Sequence, residues 1–237
     1  MKVIEVKVLG LVPARGGSKR IRDKNIVPFN GKPIISYSLE AMRKAGIYDE
    51  IHVSTDSERI AAVASSLGFC PEFQRTAYAG DDDGVLELGR WVLEEYQRRG
   101  KDFDVVGFVM ACSPLMGPED YLNGYKAFIG GNQRPQLAVS EYPAPPQQAL
   151  LIEEGNIRPE REECFIARSQ DLPHCVFDTG AFAFFRADDI LSGRATIFED
   201  YRGYAVPREK AVDINVPDDL KYAEVLYHGL SSIAEQK

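Results

Sequence analysis

The stretch with the densest chemistry is ARGGSKRIRDKN, residues 14–25. Arg15, Lys19, Arg20, Arg22 and Lys24 bring five cations against one acid, Asp23. Gly16 and Gly17 allow consecutive backbone N–H groups to turn toward a single anion, and Ser18 adds a hydroxyl donor. Such a segment can wrap a polyphosphate. A solvated surface loop has the same composition, so the surrounding elements must decide between the two.

They place the stretch at the mouth of an α/β sheet. Val6–Val12 reads as a buried first strand that Pro13 breaks. After the basic stretch, Pro33 opens a helix carrying Ile35, Leu39 and Met42, stopped by Gly46. A short strand EIHVS follows, and Asp56 caps a helix with Ile60, Val63, Ala64 and Leu67, closed by Gly68. Val85, Leu88, Val92 and Tyr96 line another helix, and residues 104–111 are an apolar strand suited to a sheet centre. Pro118 starts a helix with Leu122, Tyr125 and Ile129 inward and Gly130 beyond its end, and QLAVSEY is a further strand. This alternation predicts a Rossmann-like, mostly parallel sheet with helices on both faces. The basic stretch then sits at the carboxyl edge of the strands, where ligands bind in such sheets.

The rhythm fails between residues 143 and 177, a segment rich in proline and charge with one hairpin around Glu154-Gly155-Asn156. Its length marks an interface or functional insertion within a single domain spanning 1–237. Leu150, Leu151, Ile152, Phe165 and Ile166 give it an apolar patch suited to a second subunit. The core resumes with TGAFAFF and ends in AVDINVPDDLKYAEVLY, strand to helix.

Composition narrows the class. With 237 residues, 44% of them hydrophobic, the chain can bury a large core. A net charge of −8 disfavours a nucleic-acid-binding face, which makes the basic stretch a local exception. Cys70, Cys112, Cys164 and Cys175 are far apart, as are His52, His174 and His228, so neither zinc nor a disulfide framework is expected. The cysteines read as reduced and mostly buried, in a cytoplasmic protein. The first apolar run is too short for a signal peptide or a membrane span. G-x-x-x-x-G-K-[ST] and G-x-G-x-x-G are both absent, which removes Walker-type ATPases and dinucleotide-binding dehydrogenases.

Further candidates lie outside the basic stretch. Asp213, between a strand and the helix opened by Pro217, is placed to hold Mg²⁺ on a triphosphate, or else is a plain loop acid. Asn215 offers a neutral carbonyl oxygen beside it, or a cap for the helix. Asp81, Asp82 and Asp83 could hold a metal, but read rather as acids that offset a helix N-terminus and cap its donors.

PARGGSKRIRDKN resembles the signature of the acylneuraminate cytidylyltransferase family, and GKPIISYSLEAM, HVSTDSERIA, SPL and VDINVPDDLKYAE resemble its later blocks in order. PAPPQQAL, RSQDL and FDTGAF resemble the branch acting on pseudaminic acid. The resemblance implies a Mg²⁺-dependent homodimer in which an acidic nine-carbon sugar attacks the α-phosphate of CTP. It implies that Arg15, Ser18, Lys19, Lys24 and Asn25 hold the triphosphate and base, with Arg75 near the nucleotide. Gln147, Arg168, Ser169, Gln170 and Asp171 would then contact the sugar or the second subunit. The chain departs from the family at Asn215, where many members carry a second aspartate, and at Met110, Ala111, Gln148 and Ala181. These departures cluster where the sugar should sit and leave legionaminic, sialic or Kdo-type acids as alternative acceptors. The missing second aspartate also leaves open a catalytically silent nucleotide-binding dimer.

Overall fold

The computed structural model describes residues 6–80, 83–195 and 200–235. Along the chain run β1 (Val8–Pro13), β2 (Pro28–Phe29), β3 (Lys32–Pro33), α1 (Ile35–Ala45), β4 (Glu50–Ser54), α2 (Glu58–Ser66) and α3 (Val85–Arg98). Then come β5 (Val105–Val109), α4 (Pro118–Gly130), β6 (Gln136–Glu141), β7 (Leu150–Glu153), β8 (Asn156–Pro159) and α5 (Glu162–Phe165). The chain closes with β9 (Val176–Arg186), α6 (Ala187–Leu191), β10 (Arg202–Ala205) and α7 (Pro217–Glu235).

Six strands form one sheet in the order β10-β6-β9-β5-β1-β4. The pairs β1–β4, β1–β5 and β10–β6 are parallel, whereas β9 runs antiparallel to both β5 and β6. The side-chain period of two divides β1 cleanly. Val8 and Val12 face one layer, formed with α1, α2 and α4, while Leu9 and Leu11 face the other, formed with α3 and α6. Two helical glycines permit close approach to the sheet. A Cβ on Gly89 would come within 2.5 Å of Phe108, and one on Gly124 within 2.6 Å of Phe182.

Several expectations need correction. Pro33 lies in the small β2–β3 hairpin, and α1 begins two residues later. Ser57, not Asp56, caps α2, accepting from the Ile60 amide. α4 buries Tyr121, Gly124 and Phe128, whereas Leu122, Tyr125 and Ile129 sit at the flank of that face, and Gly130 is still inside the helix. Residues 211–212 form no strand: a short 3-10 turn at Arg208–Lys210 leads into an extended link to α7. Among the cysteines only Cys112 is buried, and all four are unpaired thiols. The segment between β6 and β9 contains the expected hairpin, β7–β8, turning at Glu154 and Gly155, both with positive φ.

A third apolar cluster matters most for function. Ile21 from the basic stretch, Cys112 beyond β5, and Ile214 pack together with Phe29, Ile34 and Ala223 of α7. Three segments distant in sequence are thereby anchored to one small core. Because Ile214 points inward, its neighbours Asp213 and Asn215 are left facing the cleft.

Candidate active site

At the carboxyl ends of β1, β4 and β5 lies a cleft of about 490 Å³. Arg15, Ser18, Lys19, Arg20, Lys24 and Asn25 line it from one side, with Arg75, Asp83, Met110 and Asn215 from the others. A second chamber of about 240 Å³ shares Lys24, Asn25 and Met110 with the cleft and is bounded by Cys112, Ser113, Gly180 and Asp213. An apolar chamber of about 220 Å³, walled by Phe108, Leu137, Phe182 and Phe185, adjoins both through Met110 and Gly180. Met110, a position of departure in the sequence, therefore borders all three spaces.

Local bonds explain how the basic stretch keeps its shape. The Asn25 side-chain amide donates to the Arg15 carbonyl at 2.9 Å, and its oxygen accepts from the Cys112 thiol at 3.4 Å. Burial pushes that thiol up to about 12, so Cys112 stays protonated and acts as a donor. Asp23 accepts from Arg59 of α2 at 2.7 Å, closing the far end of the loop. Arg22 leans on the same carboxylate at 3.8 Å, so four of the five cations, not all five, line the cleft.

Arg75 is only 6% exposed, although it borders the cleft. Its Nε donates to the Ala77 carbonyl at 3.3 Å, and its own backbone N–H donates to the Thr55 carbonyl at 3.0 Å. Burial lowers its pKa, and the nearby carboxylates of Asp56 and Asp83 oppose that shift. A buried guanidinium with a fixed stem is a pre-set anion receptor.

The expected roles of some residues change. Gly16 does not present its N–H to the cleft, because that group donates to Asp56 Oδ1 at 2.8 Å. The two-amide nest expected of Gly16 and Gly17 is therefore not formed here. Asn215 turns its carbonyl oxygen to Arg20 at 2.7 Å and its amide nitrogen to Asp213 Oδ2 at 2.6 Å. Its side chain does not cap α7. The capping is done by Asp219, whose Oδ2 accepts from the Asn215 and Val216 amides at 2.7 and 2.8 Å. Asp83 closes a turn onto the Gly80 amide, α3 has no side-chain cap, and Asp81 and Asp82 lie outside the described residues.

Gln147 is engaged within the insertion, donating to the Pro173 carbonyl at 2.9 Å and the Cys175 sulfur at 3.0 Å. Arg168, Ser169, Gln170 and Asp171 are exposed on the same segment and line none of the three spaces. Residues that the sequence did not mark as part of the site complete it. Asp56 and Cys112 brace the loop, and Ser113 lines the second chamber. Asp56 carried one usable signal, its place two residues beyond a strand at the ligand-binding edge.

A cation-lined cleft at the strand ends of a mostly parallel sheet, with the exposed carboxylate of Asp213 in the adjoining chamber, is the arrangement of a protein that binds a polyphosphate. The comparisons agree. The family described as Cytidylyltransferase matches residues 9–106. Pseudaminic acid cytidylyltransferase of Campylobacter jejuni is 34% identical over 94% of this chain and 97% of its own length. N-acylneuraminate cytidylyltransferase B of Danio rerio is 29% identical over 90% of this chain and 50% of its own length. The fold matches CMP:2-keto-3-deoxy-manno-octonic acid synthetase in complex with CTP, with TM-score 0.68 and 15% identity, over 94% of this chain and 99% of that one. The chain belongs to the acylneuraminate cytidylyltransferase family, in its pseudaminic acid branch.

Proposed function

We propose that this protein transfers CMP from CTP to the anomeric hydroxyl of an acidic nine-carbon sugar, pseudaminic acid, releasing pyrophosphate. The observation that carries the reading is the convergence of Arg15, Lys19, Arg20, Lys24 and buried Arg75 on one cleft facing Asp213 and Asn215. In phosphoryl-type transfer most of the acceleration comes from positioning and from neutralising charge on the phosphates. The cations hold the triphosphate so that its α-phosphorus faces the second chamber. The sugar occupies that chamber beside Ser113 and Asp213, and its hydroxyl oxygen bonds the α-phosphorus as the bond to pyrophosphate breaks and the hydroxyl proton passes to solvent.

Mg²⁺ belongs to the same proposal. Asp213 is an exposed carboxylate beside the cation-lined cleft, and one carboxylate with triphosphate oxygens and waters suits this ion. When bound, Mg²⁺ would withdraw charge from the phosphates. Asp213 is the ligand this donor set favours. Asn215 is secondary, since its oxygen already accepts from Arg20.

We also propose a homodimer built partly by the insertion, which leaves Ile152 75% and Ile166 85% exposed. In that arrangement Arg168, Ser169, Gln170 and Asp171 serve the sugar from across the interface, because they do not line the cleft of their own chain. A cytoplasmic location completes the proposal. No helix among the described residues is long and apolar enough to cross a membrane.

Pyrophosphate release from CTP with a panel of nonulosonic acids tests the assignment. Pseudaminic acid should give the highest kcat/KM. A preference for legionaminic, sialic or Kdo-type acid would keep the chemistry and reassign the acceptor, and no release with any of them would overturn the reading.

A further inference from the structure

Arg20 and Asn215 are 195 residues apart, yet the Arg20 guanidinium donates to Asn215 Oδ1 at 2.7 Å. Lys24 Nζ approaches the same oxygen at 3.5 Å. On its other side the Asn215 amide nitrogen donates to Asp213 Oδ2 at 2.6 Å. Both ends fix the orientation of the amide. Reversing it would set an NH₂ against a guanidinium and a carbonyl oxygen against a carboxylate. The residue is also fixed from below, through its backbone bond to Asp219 and through buried Ile214.

A neutral amide does something here that an aspartate would not. Its carbonyl accepts from Arg20 and limits the wandering of a long exposed side chain, while leaving the guanidinium its full positive charge. A carboxylate at 215 would pair with Arg20 as an ion pair, which a triphosphate would have to displace. It would also set a second negative charge against Asp213.

We propose that Asn215 is the positioning residue of Arg20, one of the cations that hold the triphosphate, giving the cleft polyphosphate affinity that does not depend on a metal. This rests on the nucleotidyltransferase reading and adds to it a division of labour, with Asp213 serving the metal and Asn215 the arginine.

Calorimetric titration of the full chain with CTP, and with inorganic tripolyphosphate, both in EDTA, tests the proposal. Arg20→Ala should weaken tripolyphosphate binding about tenfold, the scale of one charge-assisted contact. Asn215→Ala should weaken it by about threefold to tenfold, and the double variant should bind no more weakly than Arg20→Ala alone, because the two act as one unit. Asn215→Asp, which keeps the side-chain shape, should also bind the metal-free anion more weakly and regain CTP affinity as Mg²⁺ is added. Unchanged melting temperatures identify these as losses of binding and not of folding. Losses that add in the double variant would overturn the proposal, as would an Asn215→Asp protein that binds metal-free tripolyphosphate as tightly as the parent. Tripolyphosphate carries neither base nor sugar. A protein showing this pattern without turning over CTP would contradict the proposed reaction and leave the Arg20–Asn215 pairing intact.

Discussion

The backbone N–H of Gly16 donates to the carboxylate of Asp56 at 2.8 Å, joining the loop after β1 to the end of β4 across neighbouring strands. The bond fixes where Arg15 leaves the sheet and where the following cations start. Asp56 is thus a brace for the cation-rich loop and not a helix cap.

Asp56→Ala should therefore cost about 1 kcal/mol of CTP affinity, the scale of one exposed charge-assisted bond, with little change in melting temperature. Asp56→Asn keeps an acceptor and should lose less. Calorimetry with CTP measures both, and equal affinity for all three proteins would show that the brace does not matter.

Asp213→Ala should abolish turnover and stay inactive as Mg²⁺ is raised, while metal-free CTP binding persists. No other acid in the 211–216 link stands in for it. A Mg²⁺ titration of pyrophosphate release reads this, and near-normal activity would move the metal toward Asp83 or its neighbours.

Much of the fold was legible because it depends on local patterns, as the alternation of Val8, Leu9, Leu11 and Val12 between the two layers illustrates. What failed depends on contacts between distant residues. The direction of β9 is invisible in TGAFAFF, since a strand's pattern carries no polarity. The inward face of α4 was misread by about one residue. Gly124, its closest approach to the sheet, contributes nothing to a count of apolar side chains. The cation-rich loop announced itself by composition, but the Arg20–Asn215 contact spans 195 positions and could not be read from either segment alone.

His52 supplies a pH dependence unrelated to the cleft. It is buried on β4, stacked near Phe73, and its Nδ1 shares a hydrogen bond with Tyr96 Oη at 3.1 Å. Burial lowers its pKa to about 4, Arg99 adds to the shift, and burial also raises that of Tyr96, which stays protonated. Below the unfolded value near 6.5 the unfolded chain takes up a proton that the folded chain refuses. Stability from this residue is thus full above about pH 6.5 and falls between there and about 4, by up to about 1.4 kcal/mol per pH unit. His52→Gln keeps an acceptor for Tyr96 but does not titrate. Urea midpoints at pH 7, 6 and 5 should fall less steeply for the variant, and identical slopes would remove His52 as a cause.

The exposed apolar side chains of the insertion predict a two-fold dimer at micromolar concentration. Ile166→Asp should shift it toward monomer, seen by light scattering, while the melting of each chain changes little, since Ile166 is 85% exposed. A parent protein that is already monomeric would contradict the interface.

The most direct test of the central claim follows phosphorus itself. CTP, Mg²⁺, pseudaminic acid and the protein are observed by ³¹P NMR, with UTP, ATP and GTP in parallel. The account predicts that the CTP resonances give way to pyrophosphate and one phosphodiester signal in equal amounts, only when the sugar is present. CTP should be preferred to all three, and to UTP by more than about tenfold, because a site that hydrogen-bonds the cytosine amino group rejects uracil, which lacks it. Equal consumption of all four nucleotides, or pyrophosphate without a phosphodiester, would contradict it.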